Sequence, residues 1–217
     1  MEIDLLKKYP KTKRNLSKRK IDKDPETIKI ARKFEKEFFD GDKKYGYGGH
    51  FYNEKYWFNV VEDIIEHYKL DNSSSILDVG CAKGFMLYEF KKILPKAFIA
   101  GIDISDYAIS NSKKEVSKYL KKGDAKKIDF LDNSFDLVLA INTIHNLDEN
   151  ECGDALREIQ RVSKKNAYVV LDAYSNEKER KDMLDWNLTG KTIKHTKDWL
   201  KFFNYHGYEG DYYWFKP

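Results

Sequence analysis

The sequence predicts a doubly wound α/β domain with a mostly parallel sheet, preceded by a helical extension. Three observations lead there. Short apolar runs alternate with amphipathic segments from Ser74 onward. The runs Ile76–Val79, Phe98–Ile102, Asp136–Ile141 and Ala167–Leu171 are nearly continuous in apolar residues, as in strands buried on both faces. A glycine-bearing turn directly follows the first run and opens a helix.

The elements follow in order. Asp24 caps a helix that starts with Pro25, carries Ile30, Phe34 and Phe38 on one face, and stops at Phe39-Asp40-Gly41-Asp42. A loop, Tyr45-Gly46-Tyr47-Gly48-Gly49-His50, can approach a ligand closely. Trp57, Val60, Val61, Ile64, Ile65 and Tyr68 form the apolar stripe of a second helix. After the first strand comes a helix with Met86, Leu87, Phe90 and Leu94 inward. Ser105 caps the helix after the second strand, and a weaker strand falls near Tyr119-Leu120. Asp148, with Glu151 three residues on, opens a helix that turns Cys152, Ala155, Leu156 and Ile159 inward. Trp199, Leu200 and Phe203 on the last helix read as core, and one strand fits after it. Residues 1–72 thus read as a basic tail and helical cap or lid. Residues 73–217 read as the core, with an insertion near 175–195.

Composition sets bounds. A chain of 217 residues that is 41% hydrophobic and 35% charged can build one packed core. No apolar stretch approaches bilayer length, so no membrane span is expected. The N-terminus lacks an apolar signal core, and Cys81 and Cys152 form no metal or CxxC motif. A cytoplasmic protein without a metal is the expectation. Forty basic against 36 acidic residues argue against nucleic acid as the partner. The local excess from Lys7 to Lys23 reads either as a loosely ordered, solvated tail or as a contact for an anionic substrate or polymer.

The informative motif is Asp78-Val79-Gly80-Cys81-Ala82-Lys83-Gly84. A dinucleotide site wants Gly-x-Gly-x-x-Gly, yet Ala82 stands at the middle glycine and Gly84 comes one residue early. An acidic residue two places before the first glycine suits a cationic ligand better than a pyrophosphate.

This segment resembles the first motif of class I S-adenosylmethionine-dependent methyltransferases, D/E-x-G-x-G-x-G, with Ala82 as the departure. The resemblance runs from about Ser74 to Tyr174 and implies a Rossmann-like methyltransferase fold. It implies S-adenosyl-L-methionine as cofactor and S-adenosyl-L-homocysteine as product. It assigns Asp78, Gly80, Cys81, Ala82 and Gly84 to the cofactor loop. Asp103 would hold the ribose hydroxyls, Ile104 would pack on adenine, and Asp124 and Ala125 would read the adenine amino group. Asn142 would face the methionine portion. The stretch Asp132-Asn133-Ser134-Phe135-Asp136-Leu137-Val138 resembles the family's entry into its fourth strand.

Methyl transfer is an in-line displacement, so the protein mainly aims the acceptor and excludes water. A hydroxyl acceptor also needs a base. His145, in the loop after Ile141, is the candidate; the other reading makes it a residue that orders that loop. Tyr47 and His50 are candidate substrate contacts from a mobile aromatic lid, unless that segment merely packs the first helices together. Tyr174 and Trp186, around the insertion, complete the candidate acceptor contacts. The Tyr-Gly-Tyr-Gly-Gly segment, Trp186-Asn187-Leu188-Thr189 and the Asp-Tyr-Tyr-Trp-Phe end resemble a bacterial subgroup of small-molecule methyltransferases associated with surface-polysaccharide and nucleotide-sugar pathways. The expected reaction is methylation of a small acceptor at a hydroxyl or anionic oxygen. The alternatives are an RNA or protein methyltransferase gripping its polymer with the basic tail, or a binding protein without catalysis. The C-terminus departs from the family: its usual closing hairpin needs two strands, and only one fits after the last helix.

Overall fold

In the computed structural model, which describes residues 1–11 and 14–217, seven strands form one sheet and every pairing between them is parallel. Before the sheet come α1 (Leu16–Asp22), α2 (Pro25–Ala31), α3 (Lys36–Asp40) and α4 (Glu54–Tyr68). The core then alternates β1 (Ser75–Val79), α5 (Phe85–Ile93), β2 (Phe98–Asp103), α6 (Asp106–Ser110) and β3 (Leu120–Lys122). It continues through β4 (Phe135–Ile141), α7 (Glu149–Val162), β5 (Ser163–Tyr174), α8 (Glu177–Trp186), β6 (Lys194–His195), α9 (Thr196–Tyr205) and β7 (Asp211–Phe215).

The strand order is β3-β2-β1-β4-β5. Beyond it, β7 lies along Tyr168–Asp172 of β5 and the two-residue β6 along its tip, Ala173 and Tyr174. The chain winds one way from β1 through β3 and the other way from β4, so the reversal falls between β1 and β4. Ligands of such sheets sit at this reversal, outside the carboxyl ends of the strands.

Alternation along the strands builds two apolar layers. Leu77, Val138 and Ala140 face the layer of Leu156, Ile159 and Trp199. Ile76, Leu137 and Leu139 face the layer of Val60, Ile64, Leu87 and Phe90. The capping box at Asp148 and Glu151 and the Ser105 cap are present as expected.

Two expectations are corrected, the continuous first helix and the loose tail at the chain start. The helix that starts at Asp24 and Pro25 breaks after Ala31, because Phe34 takes a left-handed conformation (φ 53°) and a new short helix starts at Lys36. The aromatic face of Phe34 and Phe38 survives the break as an edge-on ring pair. The insertion near 175–195 carries α8, whose mostly polar sequence hid its period. It also supplies β6, so the closing edge holds two strands but no hairpin. Finally, the chain start is no loose tail. Leu5 is buried, the Ile3 N–H donates to Tyr212 O, and Tyr9 packs against Tyr56 and Trp57.

Candidate functional site

The loop after β1 is shaped by three left-handed residues, Gly80 (φ 83°), Ala82 (φ 49°) and Gly84 (φ 74°). A Cβ on Gly80 would lie 2.2 Å from Thr143 Oγ1, so glycine is needed where the turn meets the loop after β4. Ala82 meets the same demand at a cost, and one bond offsets it: its N–H donates to Asp103 Oδ2 at 2.8 Å. The Gly80 and Cys81 N–H groups both donate to Ile102 O, which fixes the loop over the end of β2.

Two carboxyls meet here. Asp103 Oδ1 accepts from the Ser105 N–H, and burial raises its pKa although the Ser105 and Ala82 N–H groups pull the other way. Asp78 is 4% exposed, and no donor among the described residues reaches its carboxyl. Burial, reinforced by the charge of Asp103, pushes its pKa up to about 8. Beside them Ile104 stands half exposed, and the Gly123 N–H bonds Asp103 O, bringing Asp124 and Ala125 to the same edge. Asn142, left-handed and exposed, begins the loop after β4. Cys81 is a buried thiol whose pKa burial raises. The structure thus brings together Asp78, Gly80, Cys81, Ala82, Gly84, Asp103, Ile104, Asp124, Ala125 and Asn142.

The N-terminal cap closes on this loop through groups the motif reading overlooked. Lys83 Nζ donates to Asp40 Oδ2 at 2.6 Å and to His50 O at 3.0 Å. The Tyr107 hydroxyl and the His50 N–H donate to the same carboxylate. The His50 ring stacks on Phe85, on the first turn of α5, and on Tyr47. Burial, helped by Lys83, lowers the His50 pKa to about 4, so the ring is neutral. Tyr47 is half exposed, and burial, reinforced by the charge of Asp103, pushes its pKa up to about 12. Only the lysine of this latch lies inside the motif; its partner is far away in sequence, and nothing in the spacing announces it.

His145 is buried against Asp172. It is 4% exposed, its Nδ1 accepts from the Asp172 N–H at 3.2 Å, and its Nε2 lies 3.6 Å from Asp172 Oδ2. Its carbonyl accepts from the N–H groups of Lys191 and Thr192. Burial lowers its pKa, with Asp172 opposing. Asn187 donates to the same Asp172 carboxylate. This geometry is that of a residue ordering the loop and tying it to the insertion. Tyr174 packs edge-on against His195, and Trp186 lies under Arg14 and Arg19, so neither is drawn into the glycine loop. An open cavity of about 640 Å³ lined by Lys127, Phe130, Leu131, Ser134 and Arg161 sits at the opposite end of β4 and holds none of this chemistry.

Among the described residues no group of acidic, histidine and cysteine side chains could hold a metal ion, and no helix is long and apolar enough to cross a membrane. In contrast, two buried carboxyls without a basic partner, a loop of backbone at close approach and an exposed apolar side chain fit a cationic nucleoside ligand.

Comparison with known proteins agrees. A malonyl-[acyl-carrier protein] O-methyltransferase from Legionella pneumophila is 33% identical over 99 residues, 44% of this chain and 34% of that protein. A tRNA (carboxymethyluridine(34)-5-O)-methyltransferase from Arabidopsis thaliana is 28% identical over 133 residues, 60% of this chain and 31% of that protein. The chain therefore spans about a third of the length of these curated relatives. The crystal structure of YcgJ from Bacillus subtilis shares the fold, with a TM-score of 0.54 and 19% identity over 67% of this chain and 66% of the other. A family model described as a methyltransferase domain matches residues 70–209, well over half of the sequence, and the chain belongs to that family.

Proposed function

We propose that this domain transfers a methyl group from S-adenosylmethionine to an oxygen of a small acceptor, with S-adenosylhomocysteine as the other product. The observation that carries the reading is the pair Asp78 and Asp103, two buried carboxyls at the strand reversal with no cation between them among the described residues. Burying acidic groups without a partner is costly, and a positively charged ligand removes that cost.

In this reading Asp78 holds the cationic amino-acid head of the cofactor and Asp103 its ribose hydroxyls. Ile104 packs on the adenine, Asp124 and Ala125 meet its edge, and the backbone from Gly80 to Gly84 lies against the methionine portion with Asn142. The bound cofactor supplies a methyl carbon already activated by a sulfonium. The chain supplies alignment and the exclusion of water, and good alignment is worth roughly 7–11 kcal/mol. The cap, latched through Lys83, Asp40 and His50, covers the loop from one side.

With His145 buried, its Nδ1 bonded to the Asp172 N–H and its Nε2 turned toward the Asp172 carboxylate, the geometry favours an acceptor oxygen that arrives ionised and needs no base. Both curated relatives described above carry names that specify an oxygen acceptor. The terminal aromatic motifs keep surface-polysaccharide or nucleotide-sugar metabolism as the setting we favour. A polymer grip by the basic segment is less well supported, because Lys8 and Lys20 pair with Asp63 and Asp185 and Lys23 bonds Leu184 O.

Thermal unfolding with S-adenosylhomocysteine tests the reading, on wild type and Asp103→Ala. Ligand at 100 times its dissociation constant should add about 2.7 kcal/mol to the wild type and nothing to the variant. An unchanged wild-type melting temperature at saturating ligand sinks it.

A further inference from the structure

Among the described residues, Arg14 is the one arginine without a polar partner. Arg19 donates to Lys44 O, and Arg32 to Thr189 O and Gly190 O. Arg157, Arg161 and Arg180 each hold a carboxylate. Among the described residues, the Arg14 guanidinium makes no hydrogen bond and no ion pair, although it is half buried. The side chains of Thr12 and Lys13 beside it carry no carboxylate.

The position is organised. The guanidinium carbon lies 4.5 Å from the ring centre of Phe215 and 5.3 Å from that of Trp186. Arg19 lies 5.2 Å from the same indole, so two guanidiniums share one aromatic plate. Aromatic stacking fixes the plane of a guanidinium while leaving its edge N–H groups free, the geometry that accepts an oxyanion through two parallel bonds. The carboxylate of Asp172 is engaged by Asn187 and lies 3.6 Å from His145 Nε2, and it makes no ion pair with Arg14.

The place is also right for an acceptor. Phe215 ends β7 and Asp172 lies near the end of β5, at the carboxyl edge that holds Asp78 and Asp103.

We infer that Arg14, with Arg19 and the Trp186 plate behind it, recognises an oxyanion group of the methyl acceptor, a carboxylate or a phosphate. The inference rests on the methyl-transfer reading above. It gives the N-terminal segment, which lies outside the matched family region, the part of specificity element.

The test is a spectrum of arginine Nε–Hε groups, recorded on protein saturated with S-adenosylhomocysteine. Sodium succinate, sodium phosphate and sodium chloride are titrated at matched ionic strength. The signal lost in Arg14→Gln should shift saturably with succinate or phosphate and stay still with chloride. Whichever anion binds tells carboxylate from phosphate. Arg14→Lys keeps the charge but not the fork, and should weaken the binding about tenfold. A signal that ignores both anions while the thermal shift with S-adenosylhomocysteine persists overturns the inference and leaves Arg14 as a fastening for the segment. Loss of that thermal shift in the wild type is the separate failure of the methyl-transfer reading.

Discussion

Lys83 Nζ lies 2.6 Å from Asp40 Oδ2, and this largely buried pair joins the glycine loop after β1 to the N-terminal helices. Burial alone would raise the Asp40 pKa; Lys83, the His50 N–H and the Tyr107 hydroxyl outweigh it and bring it to about 2. A carboxyl depressed in the folded state adds stability that is present above its ordinary pKa of 3.8 and lost as pH falls toward 2. That contribution is roughly 2 kcal/mol. Lys83→Met strands the carboxylate and should cost about 3 kcal/mol at pH 7. Adding Asp40→Asn should cost less than the sum of the two single changes. Urea unfolding of the four proteins measures this, and strict additivity would show that the two groups are not coupled.

Asp78 behaves in the opposite sense. Its carboxyl is pushed up to about 8, so between 3.8 and 8 the folded chain holds a proton that the unfolded chain has released. Stability from this group therefore falls as pH rises through that window. Asp78→Asn should melt above the wild type at pH 8 when no ligand is present. A ligand with an ammonium or sulfonium favours the carboxylate, so wild-type affinity for S-adenosylhomocysteine should strengthen from pH 6 to pH 8 with proton release. Titration calorimetry in two buffers of different ionisation enthalpy reads that release directly. A pH-independent affinity with no released proton would remove Asp78 from the site.

These two carboxyls show what the sequence could and could not say. Asp78 and Asp103 were legible because one is next to last in an apolar run and the other directly follows one, and a residue at a strand end has its place set by the strand. Lys83 stood in the same motif, yet its meaning depends on Asp40, which reaches it only through the cap's tertiary packing. The break at Phe34 was hidden because the aromatic spacing suits a continuous helix, while a single left-handed residue interrupts it. The polar surface of α8 and the lysines around Leu5 and Tyr9 masked elements whose order comes from contacts rather than from their own pattern.

His145 yields a third expectation. Burial keeps its pKa below the ordinary 6.5, so the folded chain takes up a proton less readily than the unfolded chain. The stability it supports is present above that value and is lost as pH falls below it. His145→Gln should cost about 1–2 kcal/mol at pH 7.5, since the Asp172 N–H and the insertion lose their partner. The difference from wild type should narrow at pH 5. Equal stability of the two proteins at pH 7.5, paired with a lost methyl-transfer rate, would return His145 to the role of base.

The chain start supplies the last. The Tyr168 hydroxyl donates to Ile3 O at 3.1 Å and accepts from the Leu5 N–H, while Tyr212 exchanges backbone bonds with Met1 and Ile3. These contacts cover the outer edge of β7, which would otherwise present unpaired N–H and C=O groups to other chains. Leu5 itself is 3% exposed within the layer of Val60, Ile64 and Val170. Leu5→Ala should therefore destabilise the domain by about 2–3 kcal/mol. Tyr168→Phe should cost about 1–2 kcal/mol by leaving two backbone groups short of a partner. Removing residues 1–9 should do more than add these losses: it bares the strand edge, and the shortened protein should associate as its concentration rises. Size-exclusion chromatography across a concentration series decides the point, because a truncated chain that stays monomeric and melts with the wild type would mean the segment protects nothing.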